Sequence, residues 1–383
     1  MEAIMHIMRI PGRYWTDWIG AVALACLVGD ARAESKDIVI GQSADLSGQY
    51  AHITRQFLTG ANIYFSGINS GGGIHGRRIR LITMDDRSDP DLAIRNTHRL
   101  LQTDKALALF GYVGAQISGA VLPTINEYKV PYFAPMTGSR IVYSAFNRHV
   151  FTIRASYTDE YRYLFSRFTQ MGLKRLAVFY DAVSLSNDSL MQTMIADAKA
   201  ELVASESGIG RDIDKVADNL IQARPDVILI MSVSPKVNAA LFRTLRNKGY
   251  LGYFYCNSLI CSPLLTDSLQ ETANGLIISQ IVPFPWRASS PIVREYQQAM
   301  LKARISKFSY LGLEGFIAAK VLTEGLYRAG PAPTREKLIA ALESINEKNY
   351  SNPGYQINFS NSNHQGSVYV DVTTIGKAGA ILH

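Results

Sequence analysis

The sequence predicts an α/β fold made of two doubly wound halves, each a parallel sheet covered by helices. Short apolar runs alternate with segments of helical periodicity from Asp37 onward, which is typical of strand–helix–strand units. The alternation starts again near residue 150 and indicates a second half. The chain of 383 residues, 47% hydrophobic and 19% charged, has a globular composition. It is long for one core and suits two domains of about 150 residues.

The first 33 residues have the order of a secretory leader. Two arginines precede an apolar run of 12 residues at 18–29, and small residues follow at Ala31 and Ala33. The run is too short to cross a bilayer, which needs about 20 apolar residues. We expect a signal peptide over 1–33 that is cleaved after Ala33 and directs the mature chain to secretion. An N-terminal anchor, a mis-assigned start and a lipidated Cys26 are the alternatives.

Seven segments build the first half in order. Residues 38–40 form an apolar run typical of a buried strand, and apolar residues recur at helical spacing between Phe57 and Ile68. Asp89 and Pro90 form a typical helix start. The sequence therefore predicts strands at 38–40, 78–84, 106–110 and 130–134 and helices at 57–68, 92–101 and 118–128.

The second half repeats this alternation. The sequence predicts strands at 150–154, 175–180, 226–231, 252–255 and 275–281. It predicts helices at 159–171, 188–201 and 237–248. Three helical stretches follow within 291–343, and two extended segments follow at 355–359 and 367–372. We expect the tail to be shared, so that the first lobe comprises 34–153 with about 284–350 and the second comprises 154–283 with about 351–383.

Motifs of catalysis and cofactor binding are weak in this chain. The glycine pattern at 71–76 follows a helix and precedes a strand, which is the reverse of a dinucleotide site and favours a tight turn. The seven histidines have no metal-binding spacing, and no nucleophile or phosphate-loop motif occurs. Asp85, Asp86 and Asp89 fit helix capping better than metal binding, and 159–160 fits a first helical turn. We therefore expect no catalytic residue, cofactor or metal.

Charge and cysteine content restrict the partners further. The net charge of +7 comes from scattered residues without a basic block, so we expect no nucleic-acid partner. Cys256 and Cys261 have no histidine nearby in sequence and make a poor zinc site. They form either a small-loop disulfide or two buried thiols, and the sequence leaves both alternatives open.

Several loops at predicted strand ends carry side chains suited to a ligand. The chain has 20 tyrosines, whose flat apolar face and hydroxyl suit a ligand cleft, and four fall at strand ends, at 50, 112, 157 and 180. Amides and hydroxyls at 114–118 and 136–139 suit an anionic group. Ligands in open parallel sheets bind outside the carboxyl ends of the strands, where these loops lie.

Residues 37–380 resemble the periplasmic solute-binding proteins of ATP-driven importers, of the branched-chain amino-acid receptor type. The segments that carry the resemblance are 40–48, 69–76, 135–138, 153–160, 330–336 and 359–367. The resemblance implies a type I periplasmic-binding fold, in which two lobes are joined by a hinge of three crossing strands. It also implies that a ligand binds between the lobes, which close by hinge bending.

Four departures from that family bear on the ligand. By alignment, Ala115 and Ile117 stand where amino-acid receptors of the family place hydroxyl residues, and Leu185 stands for a frequent tyrosine. Asn257 stands where those receptors place the carboxylate that receives the substrate ammonium. An ammonium buried without a charged partner costs several kcal/mol. We therefore expect an aromatic or aliphatic acid, with a sterol-like lipid as the alternative and a branched-chain amino acid least favoured.

The resemblance thus implies a monomeric, non-enzymatic receptor that delivers its solute to an inner-membrane ABC permease. An extracellular sensor and a doubly wound enzyme are the rival interpretations. The expected ligand-binding residues of the two lobes are Ser47, Tyr50, Tyr112, Ala115, Gln116, Thr137, Gly138, Ala155, Tyr157, Asp181, Ser184, Ser234 and Asn257.

Overall fold

The fold is described from a computed structural model of the chain. The described residues are 37–180, 189–208, 210–232, 234–261, 269, 273–350, 354–376 and 381–383. The expected signal peptide lies outside them. Within them, no helix combines the length and the apolar character that crossing a membrane requires.

The first sheet has five strands in the described part of the chain, and all its pairs are parallel. They are β1 (Ile38–Ala44), β2 (Ile79–Asp85), β3 (Ala108–Phe110), β4 (Tyr132–Phe133) and β5 (Val150–Phe151). Their order is β2–β1–β3–β4–β5, so the chain starts in the interior of the sheet and winds out to both edges. The intervening helices are α1 (Ala51–Ser70), α2 (Pro90–Gln102) and α3 (Ala115–Tyr128).

The second sheet has seven strands among the described residues. They are β6 (Arg175–Tyr180), β7 (Glu201–Ser207), β8 (Val227–Ile230), β9 (Tyr253–Cys256), β10 (Leu276–Gln280), β11 (Asp371–Ile375) and β12 (Ile381–Leu382). Their order is β12–β11–β10–β9–β8–β6–β7, with β11 and β12 antiparallel to their neighbours. The helices of this half are α4 (Tyr157–Gln170), α5 (Ser189–Asp197), α6 (Ile213–Gln222) and α7 (Pro235–Asn247).

Three further helices return to the first half. They are α8 (Pro291–Lys302), α9 (Tyr310–Arg328) and α10 (Arg335–Glu343). Helix α9 is buried over most of its length and crosses α1 with the two backbones in contact. A Cβ atom added to Gly60 of α1 would lie 1.8 Å from the carbonyl oxygen of Gly312, and one added to Gly315 would lie 2.0 Å from that of Phe57. Side chains at these positions would force the helices apart.

The chain passes between the sheets three times, after β5, after β10 and before β11. The first and third crossings pair with each other. The Thr152 amide donates to the His364 carbonyl at 2.9 Å, and the Gly366 amide donates to the Thr152 carbonyl at 2.7 Å. The expected two doubly wound lobes with three crossings are therefore confirmed. The expected division of residues between the lobes stays a prediction. Tyr355 and Phe359, which that division places in the second lobe, pack in the core of the first half.

Several local predictions are confirmed and two elements were missed. Asp89 caps α2 by accepting from the Asp91 and Leu92 amides, and the glycines at 71–76 form the turn between α1 and β2. The predicted helix at 188–201 ends where the structure begins β7, so β7 was not predicted, and neither was α6. β7 is a half-buried edge strand, so its apolar signal is weak. α6 has the pattern of an amphipathic helix, with Val216, Ala217 and Leu220 buried, and could have been found.

Candidate functional site

The loop after β1 is held by two carboxylates. The Tyr50 amide donates to Asp45 at 2.8 Å, and the Ser47 hydroxyl donates to Asp85 at 2.7 Å. Burial alone raises the pKa of Asp85, but hydrogen bonds from Ser47 and the Leu46 amide outweigh it and hold the pKa below its usual range. Ser47 is exposed and Tyr50 is half-buried, so both lie at the carboxyl edge of the first sheet, as expected.

Asp86 lies beneath this loop and is buried. Its carboxylate accepts from the Ser43 hydroxyl at 2.9 Å and from the Ser88 amide at 3.0 Å. Burial raises its pKa to about 6, against the opposing effect of these two hydrogen bonds. Asp86 thus fixes the ends of β1 and β2 from inside the protein, and it is not a ligand group.

The segment after β3 contains three of the expected ligand residues, Tyr112, Ala115 and Gln116. Tyr112 is fully buried, its hydroxyl lies 3.0 Å from the Thr97 hydroxyl, and its ring packs edge-on against Tyr132. Its side chain therefore packs in the core of the first half in this conformation, and its expected role in ligand binding stays a prediction. Ala115 and Gln116 are exposed in the first turn of α3, which has no side-chain cap. They stay in the expected position at the carboxyl edge of the sheet.

The two halves touch where the loop after β4 meets the start of α4. The Tyr157 amide donates to the Gly138 carbonyl at 2.8 Å, and the Tyr157 side chain shares a hydrogen bond with Thr137. A Cβ atom on Gly138 would lie 2.4 Å from the Tyr157 ring, so a glycine is needed for this approach. Ala155 is buried beside this contact. The structure thus brings Thr137, Gly138 and Tyr157 together, but these residues pack directly against one another.

Behind this contact lies a buried ionic network that was not predicted. Arg154, on the first crossing, is 1% exposed and lies 3.4 Å from Glu314 of α9. It also donates to the Ser258 hydroxyl at 2.6 Å, and Ser258 donates in turn to Glu160 of α4 through its amide at 2.8 Å and its hydroxyl at 2.9 Å. Glu160 accepts a further hydrogen bond from Ser279. The network therefore joins the first crossing, α9 of the first half and two strand ends of the second half.

The three ionisable groups of this network shift one another's pKa values. Burial raises the pKa values of the Glu160 and Glu314 carboxyls, and the guanidinium of Arg154 opposes that effect in both. Burial lowers the pKa of Arg154, but Glu314 and other neighbouring groups outweigh it and leave the pKa above its usual value. Because its pKa stays high, Arg154 remains charged. The two carboxylates therefore already have a counter-charge inside the protein.

The loop after β9 is closed by a disulfide. Cys256 and Cys261 are bonded, with their Cα atoms 5.6 Å apart, which excludes the alternative of two free thiols. Asn257 lies inside this loop and is 1% exposed. Its side-chain oxygen accepts from the Leu259 amide at 3.1 Å and from the Ile260 amide at 3.0 Å. Tyr161 of α4 also hydrogen-bonds to the Asn257 side chain.

The remaining expected residues contribute little to the described geometry. Asp181 and Ser184, together with Leu185, lie outside the described residues. Ser234 caps α7, and its hydroxyl oxygen accepts from the Val237 amide at 3.4 Å. Among the described residues, no cluster of three or more histidine, cysteine, aspartate or glutamate side chains could hold a metal ion.

A cavity of about 210 Å³ lies between the two halves. Gln56, Trp286 and residues 307–311 line it from the first half and the second crossing, and residues 258–259 and Ile278 line it from the second half. None of the thirteen expected ligand residues is among those that line it. The signal that could have drawn attention to it is Trp286, which is the sole tryptophan between residues 34 and 383 and lies in a segment with two prolines.

A larger, open depression of about 570 Å³ adjoins this cavity on the second half, and Ile375 lines both. Arg246, Tyr253 and Gly275 line it, at the amino ends of β9 and β10. Its rim also includes Gly376 and Leu382, which flank residues outside the described structure. Ligands of open parallel sheets bind at the opposite, carboxyl end of the strands, so the cavity between the halves is the better candidate site.

Comparison with known proteins assigns the fold to a family. Residues 37–380 match the family model described as periplasmic binding protein. The chain belongs to the periplasmic binding protein family. The "Leu/Ile/Val-binding protein homolog 7" of Brucella melitensis is 23% identical over 375 residues, which cover 91% of this chain and 92% of the relative. The "Amino acid binding protein" of Pseudomonas aeruginosa is 32% identical over 108 residues, but the match spans only 28% of each chain.

Solved structures share the same architecture. The substrate-binding periplasmic protein of Ralstonia solanacearum is 27% identical, with a TM-score of 0.79 over 90% of this chain and 99% of that chain. The fatty acid ABC transporter substrate-binding protein of Thermomonospora curvata is 19% identical, with a TM-score of 0.77 over 90% of this chain and 91% of that chain. At that identity, the second likeness concerns the fold alone. The periplasmic binding family is thus the firm conclusion from sequence and structure together.

Proposed function

We propose that this periplasmic binding protein is the solute-binding component of an ABC importer. It captures one small organic molecule between its two halves in the periplasm and presents it to an inner-membrane permease. It acts as a monomer and changes no covalent bond of the solute. The cavity between the halves supports this proposal, because it lies at the carboxyl ends of β9 and β10, where open parallel sheets bind ligands.

We further propose that the solute is an acid with an apolar body and not an α-amino acid. The observation that carries this proposal is the environment of Asn257, which directly precedes the cavity-lining residues 258–259 without lining the cavity itself. Its side chain is uncharged, and its oxygen is engaged by the amides of its own loop. A substrate ammonium would therefore meet no anion there, and a buried charge without a partner costs several kcal/mol.

The buried carboxylates nearby do not replace the missing anion. Glu160 accepts hydrogen bonds from Ser258 and Ser279 and is fully buried. Glu314 is paired with Arg154 and is 3% exposed. Glu314 would have to leave Arg154, and Glu160 would have to break its hydrogen bonds with Ser258 and Ser279, before either could receive an ammonium. The names of the Brucella and Pseudomonas relatives favour an amino acid, and the charges around Asn257 argue against it.

Native mass spectrometry of the full chain, purified from the cells that make it, tests this proposal. We expect one bound molecule per chain, which denaturation releases unchanged and which carries a carboxylate without an α-ammonium group. Isothermal titration with leucine supplies the opposing test. Micromolar affinity for leucine would contradict the proposed class of solute, and conversion of the copurified molecule by the purified chain would contradict a pure binding role.

A further inference from the structure

The cavity between the halves has a wall suited to an aromatic ring. Trp286 packs edge-on against Tyr310, with ring centroids 5.3 Å apart, and Phe308 lies beside them in the lining. Leu259 and Ile278 close the opposite side from the second half. Aromatic and aliphatic side chains on facing walls bury a flat apolar group from both sides, and aromatic pairs prefer such edge-on and offset contacts.

The volume of the cavity limits the size of the apolar group. It holds about 210 Å³, somewhat more than the engineered cavity of about 150 Å³ that binds benzene. One aromatic ring with a short arm therefore fills it. A four-ring sterol or a long acyl chain needs several times the volume of one ring, so the cavity in this conformation disfavours the sterol-like alternative.

The charge of the cavity lining indicates which polar group of a solute it favours. Lys307 is exposed at the cavity and has no carboxylate within ion-pair distance among the described residues. The described lining contains no aspartate or glutamate. A carboxylate at the mouth therefore meets a cation, whereas an ammonium there meets a like charge and no carboxylate side chain in the described lining. This is a second reason, independent of Asn257, why a zwitterionic amino acid is disfavoured.

We propose that this cavity is the binding site for an arylalkanoate, a single aromatic ring with a short arm that ends in a carboxylate. The ring lies between Leu259 and the Trp286–Phe308 wall, and the carboxylate meets Lys307. This inference rests on the proposed function, which requires a bound acid between the halves, and it adds the location and the class of that acid.

Trp286 provides a local readout of binding. The full chain has two other tryptophans, Trp15 and Trp18, so the test uses the W15F/W18F variant of the full chain, in which Trp286 is the sole emitter. Titration with 3-phenylpropanoate is expected to change the Trp286 emission and to saturate at one molecule per chain. Because Trp286 is 41% exposed, covering it with a ligand shifts its spectrum.

Three comparisons make the test specific. 3-Phenylpropanamide, which lacks the charge, and phenylalanine, which adds the ammonium, are expected to bind more weakly than 3-phenylpropanoate. The K307Q substitution is expected to weaken 3-phenylpropanoate about tenfold or more, since a hydrogen bond to a charged group is lost, and to leave the amide nearly unchanged. K302Q, at an exposed lysine of α8 outside the lining, is the matched control and is expected to change neither.

The outcomes separate this inference from the proposed function. Saturable binding of 3-phenylpropanoate that leaves the Trp286 emission unchanged, or that K307Q does not weaken, would overturn the inference and leave the proposed function standing. Absence of binding up to about 1 mM would overturn it as well. Micromolar binding of leucine would overturn the proposed class of solute, and conversion of the copurified molecule by the purified chain would overturn the proposed binding function itself.

Discussion

At the scale of single residues, Arg154 links the two halves of the molecule. It is buried on the first crossing and is the shared partner of Glu314 in the first half and Ser258 in the second. An ionic network that joins two halves is costly to break, because each partner left behind is a buried charge without a counter-ion. Sequence reasoning did not find this network, since its members lie far apart in the chain and no periodicity marks them.

The first prediction concerns this network. We expect Arg154→Met to lower the free energy of unfolding by about 3–5 kcal/mol, because Glu160 and Glu314 then stay buried without a cation. Urea denaturation followed by circular dichroism measures the change. Arg148→Met is the matched control, since Arg148 pairs with Glu336 at 2.9 Å on the surface. A surface ion pair contributes about 1 kcal/mol or less to the free energy of unfolding. Equal effects of the two substitutions would refute the role of the network.

The second prediction concerns Asp86 and pH. Its pKa of about 6 lies above the unfolded value of 3.8, so the folded protein binds the proton more tightly than the unfolded chain does. The contribution of this group to stability therefore rises as the pH falls through 6. Linkage gives a gain of about 1 kcal/mol between pH 7 and pH 5.

Asp86→Asn removes this titration. We expect the difference in unfolding free energy between pH 7 and pH 5 to shift by that amount relative to the wild type, measured by urea denaturation at both values. Glu127→Gln, at an exposed carboxylate of α3, is the control and should keep the wild-type pH dependence. An Asp86→Asn variant with the wild-type dependence would show that Asp86 does not titrate in this range.

At the scale of elements, the contact of α1 with α9 organises the first half. The two helices approach so closely that the carbonyl of Gly312 occupies the space where a side chain at residue 60 would begin. The strand–helix alternation could predict α1, and the helical stretches between 291 and 343 could be read from their spacing. Their close crossing could not be predicted, because a glycine inside a helical pattern has no signature that separates contact from exposure.

The third prediction uses two glycines of α1. We expect Gly60→Ala to destabilise the protein by several kcal/mol or to prevent folding, since the added methyl group overlaps the α9 backbone. Gly67→Ala is the matched control, because nothing lies within 4 Å of its added Cβ atom. It should stabilise the protein by about 0.5–1 kcal/mol through helix propensity. Thermal unfolding of both variants measures this contrast, and a destabilising Gly67→Ala would contradict it.

At the scale of the whole molecule, the sequence alone was sufficient for the two α/β halves and for the edge at which loops such as 135–138 lie. Parallel strands with buried apolar runs carry a strong signal, and their carboxyl ends follow from the order of elements. The cavity was not predictable. Gln56, Ile278 and Lys307 come from distant parts of the chain, and they meet only because the two halves pack in this way.

The conformation described here has the halves in contact through Gly138 and Tyr157. In the proposed function, bending of the three crossings opens and closes this contact. Binding then favours the closed form only to the extent that the solute has a higher affinity for it.

Small-angle X-ray scattering of the ligand-free full chain, titrated with the copurified solute, tests most directly whether two hinged halves close on a bound molecule. We predict that the radius of gyration decreases on addition and reaches its final value at one solute per chain. A radius that stays constant while calorimetry shows the solute to be bound would contradict closure between the halves.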